Sequence, residues 1–221
     1  MDEINATIYS TMLNVNYPNN NRALPWFLAM EEHLASLPGE YLMLWQTRPT
    51  VIYGIHQERE AEVNIAWCKE HGVEVYQRKS GGGCVYSDEG NLMISYIRKG
   101  SKTDAQRIFG EYLDSLAGIL RSLGLDAVTT ANNDVLVCGK KVSGNACHAT
   151  GDAVIVHGTL LINSNLDNVT AAITPAKEKM QRHAVASVRQ RVANISEFGI
   201  NDVALVKNTI IASLSHGTYN L

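Results

Sequence analysis

Two stretches of this chain bring charge, hydroxyls and bare backbone together. The first is Arg78 to Asn91, "RKSGGGCVYSDEGN", in which Gly81, Gly82 and Gly83 follow Arg78, Lys79 and Ser80. The second is Asn133 to Cys147, "NDVLVCGKKVSGNAC", which carries Lys140, Lys141, Ser143 and Asn145. Consecutive glycines leave backbone N–H groups open to close approach, and phosphate oxygens accept from such groups. Arg78, Lys79 and Lys141 supply the positive charge a polyanion needs. These residue types therefore permit recognition of a phosphate or nucleotide, with Lys141 as a fixed cation. A glycine-rich hairpin turn uses the same three glycines, and propensity alone leaves both readings open. No GxxxxGKS or GxxxxGKT is present, and no clear helix pattern follows the glycines, so neither the P-loop nor the dinucleotide fingerprint applies. Asn133 and Asp134 precede the second stretch, either as a loop cap or as pocket groups. "HGT", His157 to Thr159, interrupts a β-rich run with polar groups and a glycine. A lone His in a strand is more often hydrogen-bonded structure than catalyst, and no Ser-His-Asp ordering is specific enough to argue for a hydrolase.

Regular elements must hold these groups in place. "PWFLAMEEHLAS", Pro25 to Ser36, has helical spacing with Pro25 in the first turn, and Phe27, Met30 and Leu34 share a face. Tyr41 to Gln46 and Thr50 to Ile55 read as two consecutive strands. "NIAWCKEHG" reads as a short helix stopped by Gly72, and Val73 to Gln77 as the strand that delivers the chain to the glycines. Asn91 to Ile97 is the strand that follows them. A long helix is predicted from an N-cap at Thr103 to Leu123, with Gln106 at the capping-box position and Gly124 as its stop. Its stripe, Ile108, Tyr112, Leu116, Ile119 and Leu123, is core. Cys138-Gly139 fits a two-residue hairpin turn. On the return strand, simple alternation predicts that Lys141, Ser143 and Asn145 share one face, opposite Val142. Asp152 to Asn163 is another long strand, and short helices are expected near Leu166 to Ile173 and Asp202 to Leu214. The fold class expected is α/β in the α+β sense, a mixed and largely antiparallel sheet flanked by helices.

Composition bounds the function. The chain has 221 residues, 45% of them apolar, which suits one α/β domain with a sizeable core. A net charge of −3 and a pI near 6.2 argue against a duplex nucleic-acid binder. No apolar run nears the ~20 residues that span a bilayer, so no membrane association is expected. The N-terminus lacks the basic-then-apolar pattern of a signal peptide. Cys68, Cys84, Cys138 and Cys147 are scattered, as reduced thiols of a cytoplasmic protein would be. Their spacing offers no metal-ligand set, and no protein-held metal is expected.

The stretches "PWFLAMEEHL", "RKSGGGCVYSDEGN", "NDV" ahead of "KKVSGNA", "HGTLLIN", "TPAKEKM" and "SVRQRVANISEF" occur in this order between about residues 25 and 198. In that combination the chain resembles the lipoate-protein ligase A family, within the wider biotin/lipoate ligase superfamily. The resemblance implies the superfamily's catalytic-domain fold across residues 1–221, without the C-terminal accessory domain of many members. It implies that lipoate and ATP, with Mg²⁺, give lipoyl-adenylate and pyrophosphate. The acyl group would then pass to a lysine of an apo lipoyl domain, in a 2-oxoacid dehydrogenase E2 or a glycine-cleavage H protein. A separate accessory domain would be a further partner. Carried over by motif, Lys141 is the catalytic residue and contacts both ATP and the lipoyl carboxylate. Arg78, Gly83, Cys84, Val85, Tyr86, Asn133, Asp134 and Thr159 would contact ATP or surround the adenylate. Ser80, Gly81, Gly82 and His157 would join Lys141 around lipoate. The segment after "HGTLLIN" resembles the family's adenylate-covering loop, and Lys177 to Arg191 holds five Lys/Arg against one Glu.

Three departures stand out. Gln77 replaces the first of two arginines usual before the glycines, Ile55 stands where many relatives carry Arg, and no accessory domain is expected within these 221 residues. The same residues permit two other readings. One is an ATP-independent octanoyl or lipoyl transferase of the same fold, with a cysteine nucleophile. The other is a non-catalytic lipoyl- or nucleotide-binding module.

Overall fold

The computed structural model describes residues 7–9, 12–16, 22–173 and 191–215. In chain order the elements are β1 (Thr7–Tyr9), β2 (Met12–Asn16), α1 (Leu24–Ser36), β3 (Glu40–Trp45), β4 (Thr50–Tyr53), α2 (Arg59–Glu62), α3 (Ile65–Glu70), β5 (Glu74–Gln77) and β6 (Val85–Ser87). There follow β7 (Asn91–Lys99), α4 (Ala105–Ser122), β8 (Ala127–Thr129), β9 (Asp134–Val137), β10 (Lys140–Thr150), β11 (Ala153–Leu161), α5 (Leu166–Ile173), a 3-10 turn (Ile195–Phe198) and α6 (Val203–Ser215).

Among the described residues the strands form two sheets. One has eight strands in the order β1-β2-β3-β7-β11-β10-β9-β8, and the other has three in the order β5-β4-β6. The pairings are antiparallel except β2 with β3 and β4 with β5, so the sheets are mixed and largely antiparallel as expected. Strands do form in both places, at Glu40–Trp45 and Thr50–Tyr53, but they are not partners. The first enters the large sheet and the second the small one. Strand β6, directly after the glycines, has only three residues and no period long enough to read.

The central strands carry apolar runs because both faces of the large sheet are covered. In β3, Leu42 and Leu44 face the core built by α4, while Tyr41, Met43 and Trp45 face α1. In β11, Val154, Val156 and Leu160 face α4, while Ala153 and Ile155 face α1. The ring of Phe27 in α1 stacks on Trp45 at 4.3 Å, worth about 1 kcal/mol beyond its buried area. By the same alternation His157 and Thr159 in β11 face away from α4.

Two expectations need correction. The N-cap of α4 is Asp104, not Thr103. The Thr103 hydroxyl is taken by Ser101 at 2.7 Å, and Asp104 accepts from both the Ser101 N–H and its hydroxyl, closing a turn that delays the helix by a residue. The second concerns β10. The turn at Cys138 (φ 49) and Gly139 (φ 77) has the left-handed pair a tight hairpin requires. Beyond it the register slips between Lys141 and Ser143, a β-bulge at Val142. A bulge adds one residue and breaks simple alternation. Val142 joins the α4 core, and Ser143 is buried and bonded to Asn145. Lys141 instead lies over Gly144, its Nζ 2.9 Å from where a side chain on Gly144 would begin. So Lys141 does not share a face with Ser143 and Asn145. It joins Gly144 on the opposite face of the strand.

Candidate functional site

The glycine loop joins β5 to β6, and its shape is set from within by Arg78. This guanidinium is buried at 7% exposure. It donates through Nη2 to the carbonyls of Gly81 and Gly83, each at 2.7 Å, through Nη1 to Ile52 O at 3.1 Å and through Nε to Ser80 Oγ at 3.0 Å. Burial pulls its pKa below the usual arginine value, with the Cys84 thiol opposing slightly. Gly82 has φ +87°, and a Cβ there would meet Arg78 Nη2 at 3.0 Å. Gly54, at the end of β4, faces the Gly82 carbonyl at a distance no Cβ could tolerate. Close approach explains Gly82, and what approaches is the protein's own arginine and a neighbouring strand end; a Cβ on Gly81 would meet nothing nearer than 3.9 Å and one on Gly83 nothing within 4 Å.

Lys79 points away from this loop and pairs with Glu32 of α1 at 3.2 Å. Burial pushes the Glu32 carboxyl up, but His148 and Lys79 beside it outweigh that and hold it below the usual carboxylate value. Gln77 lies exposed and bonds the Ile55 carbonyl at 3.3 Å.

The hairpin β9–β10 forms the opposite wall. Lys141 Nζ pairs with Asp134 Oδ1 at 2.8 Å, and its side chain keeps 35% exposure. Thr159 Oγ1 bridges the N–H and carbonyl of Gly144, at 3.2 and 3.3 Å. Asn133 clamps the hairpin, its Nδ2 donating to Asn145 O at 2.8 Å while its carbonyl accepts from Asn145 Nδ2 at 3.0 Å. After α5 the chain returns here. Ala193 N–H donates to Lys141 O at 2.9 Å, and Val192 bridges to the same residue.

Two cavities meet between the walls. The smaller, about 70 Å³, has Leu28, Trp45, Ile52 and Met93 at apolar positions and Arg78, Asn133, His157 and Lys141 at polar ones. The larger, about 440 Å³, runs past Tyr86, Asp134, Leu136, Val169 and Arg191. Cys84, Val85, Lys141 and Thr159 border both. The residues assigned through the family's motifs thus converge, with three exceptions. Gly83 reaches the wall of the smaller cavity, but Ser80, Gly81 and Gly82 border neither. Ser80 is buried, its oxygen 2.6 Å from His157 Nε2. The apolar positions Leu28, Trp45, Ile52 and Met93 were not picked out, because in sequence they read only as core. The basic segment from Lys177 lies, apart from Arg191, outside the described residues.

Cys84 is no ready nucleophile. Burial, reinforced by Glu62, pushes its thiol up to about 12. Burial also raises Cys147. Cys138 is exposed at the hairpin turn. Among the described residues no group of three His, Cys, Asp or Glu is placed to hold a metal, and no helix is long and apolar enough to cross a membrane.

The family model for the lipoyl protein ligase A/B catalytic domain matches residues 24–215. Lipoate-protein ligase LplJ of Bacillus subtilis is 37% identical over 185 residues, covering 84% of this chain and 55% of that protein. The chain spans about half the length of the curated relatives it matches. Among solved structures, a bi-partite lipoate protein ligase from Thermoplasma acidophilum, described with its E2 lipoyl domain, superposes with a TM-score of 0.84 at 29% identity, covering 95% of this chain and 83% of that one. A lipoate-protein ligase A bound with ATP superposes with a TM-score of 0.81 at 26% identity, covering 94% and 85%.

Proposed function

The chain belongs to the lipoyl protein ligase A/B catalytic domain family, and on that premise we propose that it is a lipoate-protein ligase. It activates lipoate with ATP and passes the lipoyl group to a lysine of an apo lipoyl domain. The observation that carries this reading is the position of Lys141 on the wall of both cavities. Adenylation must bring a carboxylate against a triphosphate, and a fixed cation at their meeting point offsets the repulsion and stabilises charge growing on the α-phosphate.

The smaller cavity suits the acyl substrate. Burying roughly four methylenes of the pentanoyl chain against Leu28, Trp45, Ile52 and Met93 contributes about 3 kcal/mol. The larger cavity, with Asp134 and Tyr86 on its walls, suits the nucleotide. In the first step a carboxylate oxygen bonds to the α-phosphorus as the bond to pyrophosphate breaks. In the second, the acceptor amine attacks the acyl carbon and AMP leaves with the anhydride oxygen. Arg78 serves this scheme by holding the loop that forms one wall and by adding positive potential behind it. Asp134 fits a single-carboxylate hold on Mg²⁺ carried by ATP, an ion whose charge would neutralise the leaving pyrophosphate.

The similar ATP-bound and E2-associated structures support ATP as cosubstrate and a lipoyl domain as acceptor. An E2 or a glycine-cleavage H protein meets that description, and the bi-partite neighbour supports a second component in the active species. The free thiols accord with a cytoplasmic site of action. The raised Cys84 and Cys147 thiols weigh against the cysteine-nucleophile transferase.

The test is direct. The protein is mixed with lipoate, ATP and Mg²⁺, pyrophosphate is assayed, and an apo lipoyl domain is weighed by mass spectrometry. We expect pyrophosphate release that requires lipoate, and a mass gain of one lipoyl group. Lipoate binding with no pyrophosphate would favour the non-catalytic module, and acyl transfer without ATP would favour the transferase.

A further inference from the structure

Glu31 lies on the apolar side of α1, between Phe27 and Leu34 one turn either way, and is only 2% exposed. It is also the meeting point of two hydrogen-bond chains. On one side Trp45 Nε1–H donates to Ser95 Oγ at 2.8 Å, and Ser95 Oγ–H donates to Glu31 Oε1 at 2.5 Å. On the other side Glu31 Oε2 is 3.1 Å from His157 Nδ1, and His157 Nε2 is 2.6 Å from Ser80 Oγ. Ser80 Oγ accepts from Arg78 Nε, and Arg78 Nη2 grips the Gly81 and Gly83 carbonyls.

Donor chemistry fixes the outer bonds: indole and guanidinium can only donate, and a carboxylate beside a ring nitrogen accepts. Arg78 therefore donates to Ser80 and Nδ1–H to Glu31, and the one proton left on Ser80 Oγ points to Nε2 in the tautomer this proposal assigns to His157. Both chains end on the same carboxylate. A serine, a histidine and an acid in this order also describe a hydrolytic triad. Here, however, Ser80 is 1% exposed, borders neither cavity and already accepts the Arg78 N–H. The serine is sealed from both cavities, and the chain ends on the glycine loop.

We propose that Glu31 is a positioning residue. By accepting Nδ1–H it fixes the tautomer of His157 and, through Ser80 and Arg78, the seat of the glycine loop against α1 and the large sheet. The link to catalysis rests on the reading of that loop as a wall of the acyl-adenylate site, whereas the link to the loop does not.

The test uses the full chain without ligand, with Glu31→Leu and Glu31→Gln. Leu fills the apolar stripe but gives Nδ1–H no acceptor, whereas Gln keeps an acceptor oxygen. In the wild type, ¹⁵N shifts of His157 should report Nδ1–H with Nε2 bare. In Glu31→Leu, amide hydrogen exchange at Ile55 and Arg78, whose N–H groups bond Ser80 O and Tyr53 O at the two ends of the loop, should speed up about ten-fold while α4 is unchanged, and Glu31→Gln should stay near the wild type. With lipoate and ATP, Glu31→Leu should raise the KM for lipoate about ten-fold with kcat within about three-fold. The proposal falls if the wild-type ring carries its proton on Nε2, which needs no variant to fold. It also falls if the Leu and Gln variants behave alike, or if exchange accelerates throughout the molecule. A wild type that releases no pyrophosphate would overturn the ligase reading instead, leaving the ring and exchange measurements to decide this one.

Discussion

The two walls of the site hold their cations in opposite ways. On the glycine-loop wall, Arg78 is buried and spends its N–H groups on Ile52, Ser80, Gly81 and Gly83. On the hairpin wall, Lys141 is about one-third exposed and held by an ion pair to Asp134, a partner it can leave for a phosphate or carboxylate. The difference separates a charge that holds a loop from the charge to which the proposed reaction assigns a role. Buried, multiply bonded guanidinium is rigid and costly to disturb. A half-exposed ammonium on a flexible stem can follow a reaction in which negative charge moves.

That contrast can be broken by experiment. Lys141→Ala should lower acyl-adenylate formation by roughly 10²–10³-fold, the scale of losing one preorganised electrostatic group, with a melting temperature close to the wild type. Near-normal turnover in that variant would end the assignment of Lys141. Gly144→Ala sharpens the same point without touching a charge. Its methyl would push aside Lys141 Nζ, which lies 2.9 Å away at the end of a flexible stem, so the loss in kcat should be smaller, about ten-fold. Unchanged activity would mean that the lysine needs no fixed seat. Arg78→Ala should fail the other way round. Denaturant unfolding should show a loss of about 3 kcal/mol, because loop carbonyls lose their donors, and lost activity should follow lost structure. A stable, inactive Arg78→Ala would make this arginine a ligand group after all.

The smallest effect concerns thiols. The thiolate is the reactive form, and a thiol near 12 is roughly one part in 10⁴ ionised at pH 8. Raising the pH toward 12 populates the Cys84 thiolate, and lowering it removes the thiolate. Iodoacetamide at pH 8 should therefore label exposed Cys138 while Cys84 stays unmodified in a mass-mapped digest. Rapid labelling of Cys84 would reopen the cysteine-nucleophile reading.

Much of this contrast was legible in the sequence, and the remainder was hidden for identifiable reasons. Apolar runs gave β3, β7 and β11, and the 3.6-residue stripe gave α4 with Ile108, Tyr112 and Leu116 inward. The Cys138-Gly139 turn was visible because two left-handed residues need a tolerant pair. The bulge was not, because alternation cannot register one extra residue. Motif and charge together marked Arg78 as an ATP contact and Lys141 as the catalytic cation, but not that Arg78 is buried and bonded to its own loop, since burial is invisible in a residue type. Glu31 left a trace that was passed over. It stands four residues after Phe27 and three before Leu34, in the middle of a core stripe, where an acid without a partner would be expensive.

The bulge at Val142 has a consequence for variants of different length. Which side of the sheet Lys141 serves is set by a count of residues between the hairpin turn and Gly144, and its chemical type has no part in that choice. Replacing the lysine keeps the address and changes the group. Adding or removing one residue in that short interval keeps the group and changes the address. A single in-frame codon there would silence the site while still encoding every side chain that builds it.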